Sequence, residues 1–410
     1  MAARARESSL ALAGCEASAK NAFLEGLAKL IQEREEEILA ANRLDLQKAE
    51  EGKMPAARLD RLRLTPAIIA GMRQACLDVA AWNDPVGAVE TQWKRPNGLL
   101  VGKMRVPLGV IAIIYEARPN VTIEAAILCV KAGNAVILRG GREALYSNIL
   151  LCELCRLALE EAGLPVDAVQ LVADVSHDAV LELCRMEKYI DLIIPRGGEK
   201  LVAAVKEEAT VPVLMHYKGV CHCYVDKDAD LAKACRIIEN SKIQRPAACN
   251  SLECLLVHRE AAPRLLPMLA EALKPGNVEF RADERAIQYL GGHARAIAPE
   301  DLGTEFGDYI LAVVVVDNLD EAISHINKYG SRHTDIICSN DYANCMEFLR
   351  RVDASMVAVN ASTRFNDGAQ LGLGAEIGIS TSKLHAYGPM GVNELTTSKF
   401  IVLGNGQTRA

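Results

Sequence analysis

Residues 110–141 read VIAIIYEARPNVTIEAAILCVKAGNAVILRGG and contain the clearest fold signal of the chain. Two apolar runs of strand length, Val110 to Ile114 and Ala135 to Leu138, flank a helical pattern from Val121 to Lys131. The turn Ala132-Gly133-Asn134 separates the helix from the second strand. A strand, a helix and a strand in this order predict a βαβ unit, and hence a parallel sheet with helices on both faces.

The same alternation continues along the chain. After a helix predicted over Tyr146 to Ala162, the strand-length runs are Gln170 to Val172, Leu192 to Ile194 and Val211 to Leu214. A second α/β block follows Gln244. Its clearest elements are a strand at Leu311 to Val316, a helix at Leu319 to Lys328 and a strand at Asp335 to Cys338. Two such blocks in series predict two α/β domains with a ligand cleft between them.

The two ends of the chain differ from these blocks. Roughly the first 90 residues show apolar side chains at helical spacing, such as Phe23, Leu27 and Leu30. The strand-like segments Gly98 to Val106 and Ser398 to Leu403 lie outside both blocks. We expect them to pair with each other as a small arm that reaches a neighbouring subunit.

The composition excludes several classes of function. A formal net charge of -7 and an aromatic content of 4% disfavour nucleic-acid binding, which needs a basic face and stacking rings. No apolar run is long enough to span a bilayer, and the first residues carry charges where a signal peptide needs an apolar core. We therefore expect a soluble, cytoplasmic protein with no nucleic-acid or membrane partner.

The thirteen cysteines mostly lie in apolar segments, which favours buried thiols in a reducing compartment. Cys152 and Cys155 occupy a helical pattern in which both thiols are expected to pack. In the strand-like run Cys221-His222-Cys223, neighbouring side chains point to opposite faces, so the histidine leaves the face that the thiols share. Because no second ligand pair follows at zinc-like spacing, no metal site is predicted.

One cysteine has a different setting. The segment SKIQRPAACN, residues 241–250, is a loop of small residues between the two blocks, and Cys249 lies near its end. A thiol on such a loop is open to substrate, and a nearby cation such as Arg245 or Lys242 would favour the nucleophilic thiolate. The alternative is a small buried side chain, as expected for the other cysteines.

Glycines and arginines follow two of the predicted strands. The segments Arg139-Gly140-Gly141-Arg142 and Arg196-Gly197-Gly198 let backbone amides and guanidinium groups approach a phosphate, or they simply close turns. Gly372-Leu373-Gly374 has the wrong spacing for a dinucleotide fingerprint and no preceding strand. A third segment, Asn360 to Gly368, is rich in hydroxyl, amide and charged side chains, which is typical of a small-molecule site or of a solvated loop.

Four long matches carry a family resemblance. They are VPLGVIAIIYEARPN at 106–120, DLIIPRGG at 191–198, RPAACN at 245–250, and NASTRFND at 360–367 with LGAEIGIS at 373–380. In this order they resemble the aldehyde dehydrogenase superfamily, and within it the branch that forms L-glutamate 5-semialdehyde, over nearly the whole chain. The resemblance implies two parallel-sheet α/β domains, an interdomain cleft and a small β oligomerisation arm.

The resemblance also implies roles for individual residues. Cys249 falls on the catalytic cysteine, and Glu305 on the glutamate that holds the nicotinamide ribose. The implied cofactor-binding residues are Arg139, Gly140, Gly141, Pro195, Arg196, Gly197, Gly198 and Glu305. The implied substrate-binding residues are Ser362, Thr363, Arg364, Asn366 and Asp367. Arg139 replaces a superfamily lysine, and its guanidinium would suit the 2′-phosphate of NADPH.

Two departures from the superfamily pattern bear on the chemistry. The run Met215-His216-Tyr217-Lys218-Gly219 stands where hydrolytic members carry a glutamate base, so water attack on a thioester would be poorly assisted. Ala117 occupies the apparent place of the oxyanion asparagine. Asn120 or the backbone amide of Cys249 is the expected donor instead.

The implied activity is NADPH-dependent reduction of L-glutamate 5-phosphate to L-glutamate 5-semialdehyde and phosphate through a Cys249 thioester, the second step of proline biosynthesis from glutamate. The alternatives are another semialdehyde dehydrogenase and a thiol acyltransferase without nicotinamide. The implied partners are a homo-oligomer and glutamate 5-kinase in transient contact. The implied domains are a cofactor-binding domain at 1–95 and 107–240 with part of 370–395, a catalytic domain at 241–369, and an oligomerisation arm at 96–106 and 396–410.

Overall fold

A computed structural model describes residues 1–215, 218–373 and 375–409. The chain divides into two compact units. The first comprises Met1–Met215, Leu373–Gly378 and Met390–Ala410, and the second comprises His216–Gly372 and Ile379–Pro389. None of the described helices is both long and apolar enough to cross a membrane.

The first unit combines helices with two small sheets. Its helices are α1 (Ala2–Leu12), α2 (Ala17–Glu33), α3 (Glu35–Glu51), α4 (Ala56–Leu62), α5 (Pro66–Ala81), α6 (Asn120–Lys131), α7 (Leu145–Glu161), α8 (His177–Cys184) and α9 (Glu199–Glu208). Its strands are β1 (Val89–Lys94), β2 (Leu100–Pro107), β3 (Val110–Tyr115), β4 (Ala135–Arg139), β5 (Val169–Leu171), β6 (Leu192–Arg196) and β16 (Thr396–Leu403).

Four of these strands form a parallel sheet of order β5-β4-β3-β6. Every side chain of β3 is buried, as expected for a parallel strand that is covered on both faces. Ile114 pairs with Arg139 and Tyr115 pairs with Arg196. The loops that follow β3, β4 and β6 therefore leave the sheet at one carboxyl edge.

One predicted strand of this sheet is wrong. The run Val211 to Leu214 makes only an isolated bridge, between Val213 and Ile193. Pro212 accepts a hydrogen bond from the Ile193 amide, but it has no N–H to donate in return. The proline therefore prevents this apolar run from extending the ladder beside β6.

The arm prediction is confirmed as far as strand pairing is concerned. β2 and β16 are antiparallel, with register from Thr396↔Pro107 to Leu403↔Leu100. A third strand, β1, pairs with the other edge of β2. The sequence pattern missed β1 because all six of its side chains are exposed and so show no apolar alternation.

The second unit contains a larger parallel sheet. Its helices are α10 (Leu231–Ile243), α11 (Ala262–Ala272), α12 (Glu284–Leu290), α13 (Leu319–Tyr329) and α14 (Tyr342–Arg351). Its strands are β7 (Cys221–Val225), β8 (Leu252–His258), β9 (Glu279–Ala282), β10 (Ala294–Ala296), β11 (Ile310–Val316), β12 (Thr334–Cys338), β13 (Met356–Val359), β14 (Ile379–Ser380) and β15 (Gly388–Pro389).

Seven of these strands have the order β10-β9-β11-β8-β7-β12-β13 and are parallel. Alternation along β8 directs Leu255 and Val257 to one face, where they pack with α10, α11 and α12. Cys254 and Leu256 point to the other face, where they pack with α13 and α14. The two faces therefore have separate cores, and a side chain on one face does not reach the other.

The structural division of the chain differs from the predicted boundary at residue 240. β7 pairs with β8 and β12, which places it in the second unit, whereas Leu214 donates to Ile193 in the first unit. The boundary therefore falls near Met215. The sequence division followed the order of the blocks, and strand order in a sheet does not follow chain order.

Candidate active site

Cys249 lies on a short loop between the end of α10 and the start of β8. Two turns shape this loop, because Ala248 N donates to Arg245 O (3.1 Å) and Ser251 N donates to Ala248 O (2.9 Å). The cysteine is half-buried, whereas eleven of the thirteen cysteines are buried. The predicted contrast between Cys249 and the other thiols is thus confirmed, with Cys15 as the second half-buried thiol.

Gly219 fixes the backbone of Cys249 from one side. A Cβ atom at position 219 would lie 1.9 Å from the Cys249 carbonyl oxygen and 2.8 Å from its Cα. Any side chain larger than hydrogen would therefore displace the cysteine. The Cys221 thiol, at the start of β7, donates to the same carbonyl oxygen over 3.3 Å.

Glu305 lies in the same neighbourhood. Its Oε2 accepts a hydrogen bond of 2.9 Å from the Gly219 amide, and Gly219 is in contact with the Cys249 backbone. Two residues that the sequence picked out separately, Cys249 and Glu305, are thus linked through one glycine within the second unit.

A buried ion pair connects the elements that carry Cys249 and Glu305. Lys242 Nζ lies 2.8 Å from Glu253 Oε2, and the two side chains are 0% and 1% exposed. The other carboxylate oxygen accepts from the Gly307 amide (3.2 Å). Burial raises the pKa of Glu253 to about 7, although the Lys242 ammonium opposes this shift. The pair joins the last turn of α10, the start of β8 and the loop that carries Glu305.

Arg364 provides positive charge close to the cysteine. It lies in the one-turn helix Thr363–Phe365, and its Nε donates to Gln244 Oε1 over 3.0 Å. Burial and the positive charge of Arg245 lower the pKa of Arg364, whereas the negative charge of Cys249 raises it. A guanidinium in this position would favour the thiolate form of Cys249. Arg364 is therefore a further candidate for the role that the sequence analysis gave to Lys242 or Arg245, and that role stays a prediction.

Several of the predicted substrate-binding residues hold their own loop, residues 360–368, in place. Ser362 Oγ lies 2.9 Å from Ser241 Oγ. Asn366 is fully buried and donates to Thr334 Oγ1 (2.7 Å), while Thr363 is fully buried as well. Asp367 accepts from the amides of the two residues that close the following turn, Ala369 and Gln370.

In the first unit, the glycine turns predicted to receive a cofactor lie at the carboxyl edge of the sheet. A Cβ at Gly140 would lie 2.1 Å from Asn148 Nδ2, and one at Gly141 would lie 2.3 Å from Glu143 Oε1. A Cβ at Gly197 would lie 2.7 Å from Glu116 Oε2. The same carboxylate accepts from the Gly198 amide (3.0 Å), where α9 begins.

The remaining residues of the two turns complete this edge. Pro195 is buried in β6 and pairs with Ile114. The Arg196 guanidinium passes close to Gly378, where a Cβ would lie 2.7 Å from Nη1. Gly378 has φ 140°, a conformation that favours glycine.

Arg139 ends β4 and extends over the same edge. Its Nη2 donates to Val175 O (2.8 Å) and Ser176 O (2.9 Å), and its Nη1 donates to Gly140 O (3.0 Å). The Nε–H is buried and has no hydrogen-bond partner within the described part of the chain. Burial lowers the pKa of this guanidinium. A buried donor without an acceptor is costly, and an added phosphate oxygen would satisfy it.

Comparisons with known proteins agree with this arrangement. A model described as "Aldehyde dehydrogenase family" matches residues 1–288 and 305–401. The chain belongs to this family. It is 61% identical over 411 residues to the gamma-glutamyl phosphate reductase of Desulfovibrio desulfuricans, covering 99% of this chain and 97% of the relative. It is 53% identical over 405 residues to the protein of the same name from Meiothermus ruber, covering 99% of this chain and 97% of the relative.

A solved structure extends the likeness to three dimensions. The crystal structure of gamma-glutamyl phosphate reductase from Thermotoga maritima has a TM-score of 0.97 and 44% identity, and the match covers 100% of this chain and 99% of that chain. The resemblance drawn from four sequence segments is therefore confirmed, as is the fold class of the aldehyde dehydrogenase family.

Two predictions about family departures are not tested by the structure. Asn120 begins α6 in the first unit, and its Nδ2 donates to Glu124 Oε1 over 2.7 Å. Its role as an oxyanion donor stays a prediction. Ala117 is buried with φ 37°, and its amide donates to Glu143 Oε1 (2.7 Å). His216 and Tyr217, in the run that replaces the family's glutamate base, lie outside the described residues.

Sequence reasoning missed Glu253 and the role of Gly219 beside Cys249. A signal for Glu253 was present, since it is the one charged residue in the run LECLLV at 252–257. A carboxylate in a fully buried strand requires a partner. No comparable signal marked Gly219, because its requirement for glycine comes from a segment far along the chain.

Proposed function

We propose that the chain reduces L-glutamate 5-phosphate to L-glutamate 5-semialdehyde and phosphate with NADPH, as the second step of proline biosynthesis from glutamate. The names of the relatives at 61% and 53% identity support this assignment of substrate. The observation that carries the chemistry is the half-buried Cys249 beside the Arg364 guanidinium, in a chain whose other thiols are mostly buried.

The cysteine chemistry follows from this setting. The Cys249 thiolate attacks the acyl carbon, the bond to the phosphate oxygen breaks, and phosphate leaves with the bonding electrons. The product is a thioester, whose carbonyl carbon accepts hydride far more readily than a carboxylate does. The nicotinamide cofactor, when bound, supplies the hydride. Expulsion of the Cys249 thiolate from the resulting hemithioacetal then releases the semialdehyde.

Residues of the second unit would control this chemistry. Gly219 and Cys221 hold the Cys249 carbonyl, which fixes the direction of the thiol. The Cys249 amide would stabilise the oxyanion, and Asn120 of the first unit is the other predicted donor. Arg364 and Asp367 are the half-buried charged residues of the 360–368 loop, and we assign them to the charged end of the glutamyl group. Ser362, Thr363 and Asn366 would position that loop.

The residues of the first unit fit a dinucleotide phosphate. Parallel strands bind such ligands at their carboxyl edge, where Arg139 and the turns at 140–141 and 195–198 lie. The buried Arg139 Nε–H fits an anionic acceptor. Its guanidinium favours a 2′-phosphate and hence NADPH. Glu305 would hold the nicotinamide ribose.

A cytoplasmic location is part of the same proposal. Eleven buried thiols suit a reducing compartment, because they need no oxidant to mature and form no disulfides.

The test is semialdehyde oxidation with NADP at varied phosphate, comparing the parent chain with Cys249→Ser. We expect phosphate-dependent activity in the parent and a loss of roughly 10³-fold or more in the variant, since no other nucleophile replaces the thiolate. Cofactor binding, measured by nucleotide fluorescence, should stay unchanged. Cys15→Ser, which alters the second half-buried thiol, is the matched control and should retain full activity.

Each alternative has its own signature. Product formation that does not require phosphate would indicate a different semialdehyde dehydrogenase. Failure to bind either nicotinamide cofactor would indicate a thiol acyltransferase. Near-normal turnover by Cys249→Ser would exclude the thioester route altogether.

A further inference from the structure

The second unit contains a cluster of two histidines and a cysteine that the proposed reaction does not use. His222 lies on β7, Cys254 on β8 and His325 on α13. One ligand atom from each, a ring nitrogen or the sulfur, lies within 4.8 Å of the other two. Cys254 Sγ and His325 Nε2 are 3.8 Å apart. The cluster lies on the sheet face that packs against α13 and α14, where Cys254 is part of the core.

The orientation of His222 indicates a missing partner. The side chain is fully buried, and its Nδ1 lies 3.1 Å from Asp335 Oδ1. The same carboxylate oxygen accepts from the His222 amide (3.0 Å), which holds it in place. With Nδ1–H directed at Asp335, Nε2 is the ring nitrogen that faces Cys254, and it makes no hydrogen bond of ordinary geometry within the described part of the chain. A buried ring nitrogen without such a bond destabilises the fold.

This arrangement matches a metal ligand and its supporting carboxylate. In metal sites, a ligating histidine usually donates its other N–H to a carboxylate or carbonyl, which fixes the tautomer and the ring orientation. Asp335 has that relation to His222. The donor set of two imidazole nitrogens and one sulfur excludes Ca²⁺ and Mg²⁺, which prefer oxygen, and suits a transition metal such as Zn²⁺.

We propose that His222, Cys254 and His325 bind one Zn²⁺ ion, with Asp335 orienting His222. Zinc bonds of about 2.3 Å to sulfur and about 2.0 Å to nitrogen place the ligand atoms of a tetrahedral site roughly 3.5 Å apart. The Cys254–His325 separation of 3.8 Å is close to this value. His325 is only partly buried, so its side chain can close the remaining separation by a small rotation.

The role of such an ion would be structural. It would link α13 to two central strands of the seven-stranded sheet. The His222 side chain and the Cys221 side chain point to opposite faces of the sheet. It is the Cys221 thiol that contacts the Cys249 loop. The ion would therefore stabilise the second unit without entering the reaction, and the inference does not depend on the proposed function.

The experiment measures the zinc content of the full chain, purified without a metal-binding tag, before and after chelation and reconstitution. We expect one tightly held zinc ion per chain, and after replacement by Co²⁺ a sulfur-to-cobalt charge-transfer band. Cys254→Ser and His325→Asn should lose both signals. Asp335→Asn should weaken zinc binding by about 10- to 100-fold, as is typical for loss of a supporting carboxylate.

Matched controls separate this site from other thiols and imidazoles. Cys235→Ser and His258→Asn alter buried residues outside the cluster and should keep the zinc ion. Cys249→Ser should keep it too, which excludes adventitious binding at the reactive thiol. Zinc should also raise the thermal midpoint of the parent and of Cys235→Ser, but not that of Cys254→Ser or His325→Asn.

Three results would overturn the proposal. The first is a folded parent chain, verified by circular dichroism, that takes up neither Zn²⁺ nor Co²⁺. The second is zinc retention at full stoichiometry in both Cys254→Ser and His325→Asn. The third is a parent chain that carries copper and no zinc as purified. If Cys254→Ser fails to fold, His325→Asn decides the matter, because this side chain is only partly buried.

Discussion

The Arg139 side chain has both hydrogen-bonded donors and one donor without an acceptor among the described residues. Its Nη atoms donate to three backbone carbonyls, while its Nε–H is buried without an acceptor. The carbonyl contacts hold the side chain against the segment that precedes α8. The remaining donor is the feature that points to an anion. A lysine at this position would lack the planar guanidinium group, so it would donate to fewer of these carbonyl oxygens.

Replacing Arg139 tests the 2′-phosphate role directly. We expect Arg139→Lys to raise the KM for NADPH by roughly 10-fold while changing that for NADH less, because the loss of one charge-assisted hydrogen bond amounts to about 1.5–3 kcal/mol. Steady-state kinetics with both cofactors at saturating substrate would measure the two values. Equal losses for NADPH and NADH would show that the guanidinium only supports the turn.

At the scale of single residues, the sequence identified a candidate where the local setting of a residue differs from that of other residues of its type. Cys249 was recognisable because it follows a proline in a loop of small residues, whereas most other thiols lie in apolar segments. The roles of Ser362 and Asn366 were not recognisable in the same way. Their polar side chains suit a ligand equally well, and only the contacts to Ser241 and Thr334 show that they hold the loop.

At the scale of elements, the pair Lys242–Glu253 joins α10 to β8. Burial lowers the pKa of Lys242 and raises that of Glu253 from 4.5 to about 7. A carboxyl group whose pKa rises on folding stabilises the fold fully below its unfolded value of 4.5. That contribution is lost as the pH rises through about 7.

Removal of the lysine should therefore have a pH-dependent effect. We expect Lys242→Met to destabilise the second unit by about 3 kcal/mol at alkaline pH, where Glu253 must ionise without its partner. The effect should be smaller at mildly acidic pH, where the carboxyl group is protonated in either chain. Urea unfolding followed by circular dichroism at the two pH values would measure it.

A double variant provides the control for this prediction. Lys242→Met combined with Glu253→Gln leaves no carboxyl group to ionise, so its stability relative to the parent should lack the extra loss at alkaline pH that Lys242→Met shows. An effect of Lys242→Met that is the same at both pH values would contradict the assigned role of Glu253.

At the scale of the whole molecule, the three-stranded arm of β1, β2 and β16 has two edges that pair with no further strand among the described residues. β1 and β16 are its two edges, and such edges favour pairing with another strand. Phe400, Val402 and Leu403 on β16 are 65%, 56% and 59% exposed. The Phe400 ring meets the Trp93 ring edge-on, with centroids 6.4 Å apart. Exposed apolar groups on an open edge support the predicted oligomerisation arm.

Substitution on this arm tests the prediction. We expect the parent chain to sediment as a homo-oligomer and Phe400→Asp to shift it to a smaller species, because a carboxylate cannot be buried in an apolar contact without a partner. Tyr342→Asp, at a side chain that is 78% exposed on α14, is the matched control and should leave the sedimentation coefficient unchanged. A monomeric parent chain would contradict the assignment.

The sequence by itself determined most of the elements and the family. Apolar runs of strand length, helical periodicity and turn residues are local properties, so the strands at 110–115 and 135–139 and the helix between them follow from their own residues. The same holds for the setting of Cys249, since a proline and small residues create an open loop wherever the chain places them.

Only the tertiary structure decided which distant residues meet. The contact of Gly219 with Cys249 and the convergence of His222, Cys254 and His325 depend on β7 lying between β8 and β12. Many strand orders bury the same apolar surface, so the local pattern does not select one of them. The alternation along β7 predicted correctly that the histidine leaves the face of its neighbouring thiols. The side chains that it faces there belong to other elements, and their identity emerges only when the sheet and its covering helix are assembled.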